Sequence, residues 1–253
     1  MADFPPTGPA RTDSFAAVLF DLDGVLTPTA DTHTRAWTTM FDEFLVPRGL
    51  APFTEDDYLR YVDGRPRFDG VRTFLASRGV TLPEGDVGDP PGDASVAALG
   101  NRKNELFLQI LRDDGIAPYP GSVRFLDHLA ARGTKMAVVS SSRNAREVLE
   151  ASGLAPRFDV VTDGVVAATE HIAGKPEPDM FLNAAARLAV EPAEAVVVED
   201  AVSGVAAGRA GAFGLVVGVD RGAGVEALRE HGADIVVHDL AELLGGAGQG
   251  EVP

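Results

Sequence analysis

The sequence predicts an α/β protein with a doubly wound parallel sheet and an inserted helical domain. Continuous apolar runs are typical of strands buried on both faces, as in a parallel sheet. The later runs alternate with helical patterns, which indicates right-handed crossovers between parallel strands. The six runs are rich in β-branched residues and read FAAVLF, KMAVVS, FDVVT, AVVVE, GLVVGV and DIVVH.

The alternation is interrupted directly after the first predicted strand. Between about Thr29 and Pro118 no strand is evident, and the stretch LPEGDVGDPPGD is predicted to be an exposed loop. We therefore expect an α/β core from residues 14–28 and 119–245, a helical cap from 29–118, and loose tails at 1–13 and 246–253. The helical segments of the insertion are THTRAWTTMFDEFLVPRG, RFDGVRTFLASRG and SVAALGNRKNELFLQILRDDG.

The second half of the chain supplies the helices that should cover the sheet. Ligands of such sheets collect at the carboxyl ends of the strands, so the residues following each apolar run are the candidates for function. The predicted helices of this half are SVRFLDHLAARG, NAREVLEASG, PDMFLNAAARLA and AVSGVAAGRAGA.

Composition narrows the class of function. The chain has 253 residues, 45% of them hydrophobic, which suffices for one large domain or for one domain carrying a second. The formal charge of −16 argues against nucleic-acid and anionic-membrane partners. There is no cysteine, which excludes disulfides and thiolate chemistry, and no signal-peptide or membrane-spanning pattern. The expected protein is cytoplasmic and a monomer or weak homo-oligomer.

Acidic residues follow two of the predicted strands. Asp21 and Asp23 end the first strand in FDLDG, and Glu199 and Asp200 end VVVED. Paired carboxylates at a strand end can share a hard cation and leave an oxygen for nucleophilic attack. Aspartates also cap loops, so the DxDG pattern alone does not decide between catalysis and structure. Adjacent acids beside a core are costly unless a cation or hydrogen bonds receive them.

Phosphate-binding groups are predicted at two further positions. Ser140, Ser142 and Asn144 lie where the second strand leads into a helix, and hydroxyl and N–H groups there can bind an anion or simply cap the helix. Lys175 in GKPEPD precedes another helix, where it could neutralise a phosphoryl group or be a solvated side chain.

The order of these four motifs resembles the haloacid dehalogenase superfamily, from about Phe15 to Asp220. The resemblance implies a Rossmann-like core in which Asp21 is the nucleophile that forms an aspartyl phosphate and Asp23 is the general acid and base. It also implies phosphate contacts from Ser140 and Lys175. A magnesium ion would be held by Asp21, the carbonyl group of Asp23 and Asp200, assisted by Glu199.

The predicted cap resembles that of the β-phosphoglucomutase family. TADTHTRAW implies a hinge at Thr29, with His33 and Trp37 facing the substrate. YVDGRPRFDG resembles a glycine-x-x-arginine loop, which implies a substrate contact at Gly64 and a grip on the distal phosphate of a sugar by Arg67. The matches at NRKNELF and after the second strand imply substrate contacts for the residues Lys103, Asn104, Ser142 and Asn144.

The cap also departs from that family. Asp63 stands where its mutases usually carry lysine, and Gly70 replaces a small hydroxyl residue. Helix packing is a competing interpretation for His33 and Trp37, as a solvated surface is for Lys103. Three functions therefore stay open: a mutase that converts β-glucose 1-phosphate to glucose 6-phosphate, a sugar-phosphate phosphatase, and a non-catalytic sugar-phosphate sensor. Retention of all four core motifs argues against the sensor.

Overall fold

The computed structural model describes residues 12–62 and 65–244, apart from the side chain of Leu59. A six-stranded, all-parallel sheet runs in the order β3-β2-β1-β4-β5-β6, which confirms the predicted doubly wound α/β class. Each of the six apolar runs forms one strand. The strands are Ala17–Phe20 (β1), Lys135–Val139 (β2), Val160–Thr162 (β3), Ala195–Glu199 (β4), Leu215–Val219 (β5) and Ile235–Val237 (β6).

The register of the sheet explains where the functional residues meet. Phe20 at the end of β1 pairs with Val138 of β2 on one side and with Val198 of β4 on the other. All three side chains are fully buried. Because these strands are parallel and end together, the residues that follow β1, β2 and β4 share one edge of the sheet.

Six helices belong to the same compact unit as the sheet. All four predicted helices of the second half are present. Two further short helices, of seven and six residues, were not predicted. The helices are Pro120–Ala131 (α5), Ala145–Ala151 (α6), Gly164–Glu170 (α7), Asp179–Arg187 (α8), Val202–Ala210 (α9) and Val225–Glu230 (α10), where α7 and α10 are the unpredicted ones.

The described residues divide into two compact units. Residues 12–28 and 116–244 form the core unit, and residues 29–62 with 65–115 form the cap unit. The second boundary lies before the predicted end of the cap at 118. Tyr119 belongs to the core unit, where its N–H group donates to the carbonyl oxygen of Leu26 at 2.9 Å.

Four helices build the cap unit, and its described residues contain no strand. The predicted loop at LPEGDVGDPPGD is confirmed as a segment without helix or strand. An aromatic cluster holds the unit together: Phe41 packs against Phe53 and Phe74 with ring centroids 4.9 and 4.3 Å apart. The helices are Thr29–Leu45 (α1), Glu55–Tyr61 (α2, not predicted), Arg67–Ser77 (α3) and Val96–Asp114 (α4).

The predicted N-terminal tail was too long by two residues. Thr12 is buried, and the carboxylate of Asp13 accepts a hydrogen bond from His128 at 2.9 Å and lies 3.5 Å from Arg132. Residues 1–11 and the predicted C-terminal tail at 246–253 lie outside the described residues. Within the described parts of the chain, no helix is both long and apolar enough to cross a bilayer.

Candidate active site

Lys175 joins three of the predicted motifs at the carboxyl edge of the sheet. Its ammonium group lies 2.5 Å from Oδ1 of Asp21 and 2.5 Å from Oε1 of Glu199, and it donates to the carbonyl oxygen of Val139 at 3.1 Å. The Lys175 side chain is only 6% exposed. The alternative of a solvated surface lysine is therefore wrong. The ammonium group has three hydrogens, and these three protein oxygens match them.

Burial and neighbouring charges together shift the pKa values in this cluster. Burial would lower the pKa of Lys175, but the carboxylates of Asp21 and Glu199 outweigh it and raise that pKa above its usual value. Burial raises the pKa of Asp21 well above its usual value; Lys175 opposes this shift, and Glu199, Asp23 and Asp200 add to it. Burial, followed by the charge of Glu199, raises the pKa of Asp200 to about 7. Asp21 thus has three carboxylate neighbours, and Lys175 contacts Asp21 and Glu199, so a further cation would stabilise the cluster.

The serine motif contacts the second aspartate. Ser140 is buried, and its Oγ donates to Oδ2 of Asp23 at 3.3 Å and accepts a hydrogen bond from the N–H group of Ser142 at 3.1 Å. Oγ of Ser142 in turn accepts from the N–H group of Asn144, which precedes α6. The hydroxyls therefore bond within the loop after β2, and Ser140 also reaches Asp23. The alternative of a helix cap is not observed, since α6 begins without a side-chain cap hydrogen bond.

Two glycines that the motif analysis did not single out let the acidic side chains approach the backbone. A Cβ atom on Gly24 would lie 1.9 Å from Oδ2 of Asp200, and Gly24 has a left-handed φ of 78°. A Cβ atom on Gly204 would lie 1.8 Å from Oε1 of Glu199. Both glycines lie in the motifs DLDG and EDAVSG. A glycine close to an acidic residue is therefore the sequence feature that could have identified them.

The donor chemistry of this edge fits a hard cation. Carboxylate and carbonyl oxygens are the ligands that magnesium prefers, and the crowding of Asp21, Asp23, Glu199 and Asp200 leaves negative charge to neutralise. Between residues 12 and 62 and between 65 and 244, no three His, Cys, Asp or Glu side chains are gathered as ligands of one metal ion.

His33 and Lys103 form a pair inside the cap unit. Nζ of Lys103 lies 2.7 Å from Nδ1 of His33, and the imidazole ring stacks on Phe107 at 4.3 Å. Lys103 is 4% exposed, so it is not a solvated residue. Its ammonium group also lies 5.2 Å from the ring centroid of Trp37. Burial, then the charges of Lys103 and Arg67, lower the pKa of His33 well below its usual value.

The remaining cap residues lie in different surroundings. Trp37 is 5% exposed and stacks on Phe41, as the packing interpretation expected. Nη1 of Arg67, the first residue of α3, lies 3.5 Å from the side-chain oxygen of Asn101. Asn104 lines a cap cavity of about 430 Å³ that Asn101 also lines. Thr29 is the first residue of α1.

Successive residues of a helix point about 100° apart, so Lys103 and Asn104 project in different directions from α4. Lys103 approaches His33, whereas Asn104 borders the cavity. Gly64, with its neighbour Asp63, lies outside the described residues.

Fold and site together define a class of enzyme. A Rossmann-like parallel sheet presents Asp21, Lys175 and Glu199 at the carboxyl ends of its central strands. The model of the haloacid dehalogenase-like hydrolases matches residues 15–211. The chain belongs to that family, and it is an enzyme of the phosphotransferase or phosphatase kind.

Individual relatives narrow the comparison. The chain is 53% identical over 238 residues to a β-phosphoglucomutase of Mycobacterium bovis, with 90% of this chain and 91% of the relative aligned. It is 32% identical to hexitol phosphatase A of Escherichia coli over 89% of this chain and 91% of the relative. A solved structure of a Thermotoga maritima protein assigned as a β-phosphoglucomutase superposes with a TM-score of 0.71, at 28% identity, covering 90% of this chain and 96% of that one.

Proposed function

We propose that this enzyme is a magnesium-dependent β-phosphoglucomutase, which interconverts β-glucose 1-phosphate and glucose 6-phosphate through a phosphoryl group on Asp21. The observation that carries the proposal is the buried contact of Lys175 with both Asp21 and Glu199. The 53% identity to a mycobacterial β-phosphoglucomutase supports the choice of substrate. The relative is of similar length, so the similarity extends over both units.

Asp21 is proposed to attack the phosphorus of the substrate. Attack by a carboxylate on a phosphate dianion is opposed by charge, so positive charge at the site lowers the barrier. Lys175 supplies one cation and orients the carboxylate through Oδ1. Because all three of its hydrogens face protein oxygens, a contact between Lys175 and the incoming phosphate would replace one of these contacts.

Asp23 is proposed as the general acid and base. It lies two residues after the nucleophile and is partly buried, and Ser140 donates to its Oδ2 at 3.3 Å. To protonate the leaving oxygen of the sugar, the carboxyl group must first carry a proton. Ser140 is proposed to donate to the phosphate; because its hydroxyl carries a single hydrogen, that bond would replace the one to Asp23.

Magnesium is proposed to be held by Asp21, the backbone carbonyl group of Asp23 and Asp200, with Glu199 assisting. When bound, it would neutralise carboxylates and phosphate during the transfer. Burial raises the pKa values of Asp21 and Asp200, and the neighbouring carboxylates add to the rise, so a divalent cation would stabilise the ionised carboxylates.

The substrate contacts of the other predicted residues are also proposals. His33, Trp37, Lys103, Asn104, Ser142, Asn144 and Gly64 are proposed to bind the sugar phosphate, and Thr29 is proposed as a hinge. Burial of Lys103 beside His33 supports a polar site rather than a solvated face at these two residues. The stacking of Trp37 on Phe41 makes packing its principal described role.

The direct test follows both products of the reaction. The protein is incubated with magnesium and β-glucose 1-phosphate, with and without a glucose bisphosphate primer, and glucose 6-phosphate and free phosphate are measured. We expect glucose 6-phosphate in excess of free phosphate, stimulation by the primer, and loss of activity with a chelator. Turnover that is unaffected by removal of divalent metal would contradict the magnesium proposal.

Arg67 distinguishes a mutase from a simple hydrolase. A bisphosphate intermediate must present each phosphate to Asp21 in turn, so the other phosphate needs a cationic partner, and Arg67 is proposed for it. Loss of a charge-assisted contact costs about 1.5 to 3 kcal/mol, or roughly tenfold to a hundredfold in productive binding. Arg67→Ala should therefore reduce mutase flux by that factor and largely spare the hydrolysis of acetyl phosphate. Arg65→Ala, at an exposed arginine two residues earlier, is the matched control.

A sugar-phosphate phosphatase is the second candidate. It is favoured by the 32% identity to hexitol phosphatase A, since the same core residues could transfer the phosphoryl group to water. If β-glucose 1-phosphate yields only free phosphate, and Arg67→Ala behaves as the wild type does on both substrates, then the phosphatase is the better assignment.

A further inference from the structure

Arg221 occupies a defined position just beyond the carboxyl end of β5. Oδ1 of Asp220 accepts hydrogen bonds from the N–H groups of Gly222 and Gly224, at 2.9 and 3.0 Å. The N–H group of Asp220 donates to the carbonyl oxygen of Val237 at 2.8 Å. These bonds close a tight loop around Arg221 and determine the direction in which its side chain leaves the backbone.

The guanidinium group of Arg221 connects three segments of the core unit. Its Nε donates to the carbonyl oxygen of Gly24 at 2.9 Å, and its Nη1 donates to that of His238 at 2.9 Å. Its Cζ lies 3.9 Å from the centroid of the Tyr119 ring, the distance of a cation–π contact. A planar group with several fixed donors can make all three contacts together, which the single ammonium group of lysine cannot do.

Gly24 is the contact through which this arrangement reaches the acidic cluster. It follows Asp23 directly, and Oδ2 of Asp200 occupies the space that a Cβ atom on Gly24 would fill. The N–H group of Gly24 donates to the carbonyl oxygen of Thr27 at 2.8 Å. The orientation of the Gly24 backbone therefore sets how closely the loop after β1 approaches Asp200.

The same loop is held from a second side. The N–H group of Tyr119 donates to the carbonyl oxygen of Leu26, and Oγ of Ser122 donates to that of Val25 at 2.7 Å. Tyr119 thus contacts the loop after β1 through its backbone and Arg221 through its ring. Removing Arg221 would leave the backbone contacts in place and release the Gly24 carbonyl group.

We propose that Arg221 is a positioning residue for phosphoryl transfer: by holding the carbonyl group of Gly24, it keeps Asp23 and Asp200 in register with Asp21. The inference rests on the proposed function, because it assigns work to Asp23 and Asp200. Arg221 is exposed, so its removal should leave the buried core of the unit intact. It acts through Gly24 and is not itself a catalytic residue.

The test compares Arg221→Gln and Arg221→Lys with Arg229→Gln, at an exposed arginine on α10 of the same unit. Amide hydrogen exchange of Gly24, Leu26 and Thr27, whose N–H groups are bonded within the loop, reports its order without any substrate. We expect Arg221→Gln to speed this exchange and to lower kcat, each by about tenfold, the effect of one hydrogen bond from a charged donor. KM should change by less than about twofold.

The three variants should form a graded series. Arg221→Lys keeps the charge but not the paired donors, and should fall between the wild type and Arg221→Gln. It also carries the test should Arg221→Gln fold poorly. Arg229→Gln should match the wild type in exchange and in kcat. Unfolding temperatures close to that of the wild type would separate loss of position from loss of fold.

Two outcomes would overturn the inference while the proposed function stands. If the wild type transfers phosphate and Arg221→Gln keeps wild-type exchange, then Arg221 does not order the loop. If exchange accelerates but kcat is unchanged, the order of the loop does not matter for the reaction. A wild type that transfers no phosphate would instead defeat the proposed function, and the role of Arg221 in that reaction with it.

Discussion

The core and cap units each bury a lysine, but the two lysines have different partners. Lys175 in the core contacts two carboxylates, which raise its pKa. Lys103 in the cap approaches the imidazole nitrogen of His33 and the faces of Trp37 and Phe107. Removing the core lysine would leave two buried anions, whereas the cap lysine contacts an imidazole nitrogen and two aromatic rings. The same residue type therefore has a larger structural role in the core.

The nucleophile of the core should give the largest effect. Asp21→Asn keeps the shape of the side chain but removes the anion that attacks phosphorus, so phosphoryl transfer should fall on the order of 10⁴-fold. The free energy of unfolding should change little, because the amide also relieves the repulsion from Glu199, Asp23 and Asp200. Urea unfolding and kcat measured on one preparation separate the two effects. Near-normal turnover would disprove the phosphoaspartate mechanism.

The comparison of the two lysines can be tested directly by unfolding. Lys175→Met should lower the free energy of unfolding by about 3 to 5 kcal/mol, because it leaves Asp21 and Glu199 buried without their cation. Lys103→Met, the matched variant in the cap, removes the contact with His33 and the contacts with the Trp37 and Phe107 rings, and should cost about 1 kcal/mol. Equal losses in urea titrations would show that the two lysines do not differ in this way.

The cap histidine should make stability depend on pH. Burial and the charges of Lys103 and Arg67 lower the pKa of His33, so below about pH 6.5 the unfolded chain binds a proton that the folded chain does not. The stabilisation is thus complete above that pH and is lost as the pH falls, by at most about 1.4 kcal/mol per pH unit. His33→Asn should flatten the slope between pH 7 and 5, while His231→Asn, at an exposed histidine of the core unit, should not.

The smallest predicted effect is that of replacing a glycine of the cap by alanine. A Cβ atom on Gly70, within α3, would meet the Trp37 ring at 3.5 Å, an ordinary contact distance. Gly70→Ala should therefore raise the free energy of unfolding by about 0.5 to 1 kcal/mol through the lower entropy of the unfolded chain. Gly24→Ala in the core should instead destabilise the protein, because of the left-handed φ and the Asp200 carboxylate. Thermal unfolding of both variants would reveal whether the two glycines differ in sign.

Much of the core was predictable from the sequence. Six continuous apolar runs specify strands that are buried on both faces, and a parallel sheet brings their carboxyl ends to one edge. The approach of Asp21 to Glu199 follows from that topology, because β1 and β4 are neighbouring parallel strands. Lys175 reaches both from the loop before α8, although Asp21 and Lys175 are 154 residues apart. The short helices α2, α7 and α10 were not predicted, although α6, which has the same seven residues in length as α2 and α7, was.

The partners of individual side chains were decided only by the tertiary structure. The sequence by itself determined the fold class and the order of the motifs, because these depend on local patterns of polarity, and its resemblance to the haloacid dehalogenase superfamily implied the kind of chemistry. It left open whether Lys103 and Lys175 are solvated and whether Trp37 packs against other side chains. No pattern in it indicated that Arg221 contacts Gly24. These outcomes depend on where loops and helices remote in the chain come together. A hydrogen bond of 2.9 Å is set by that assembly, and no periodicity in the sequence encodes it.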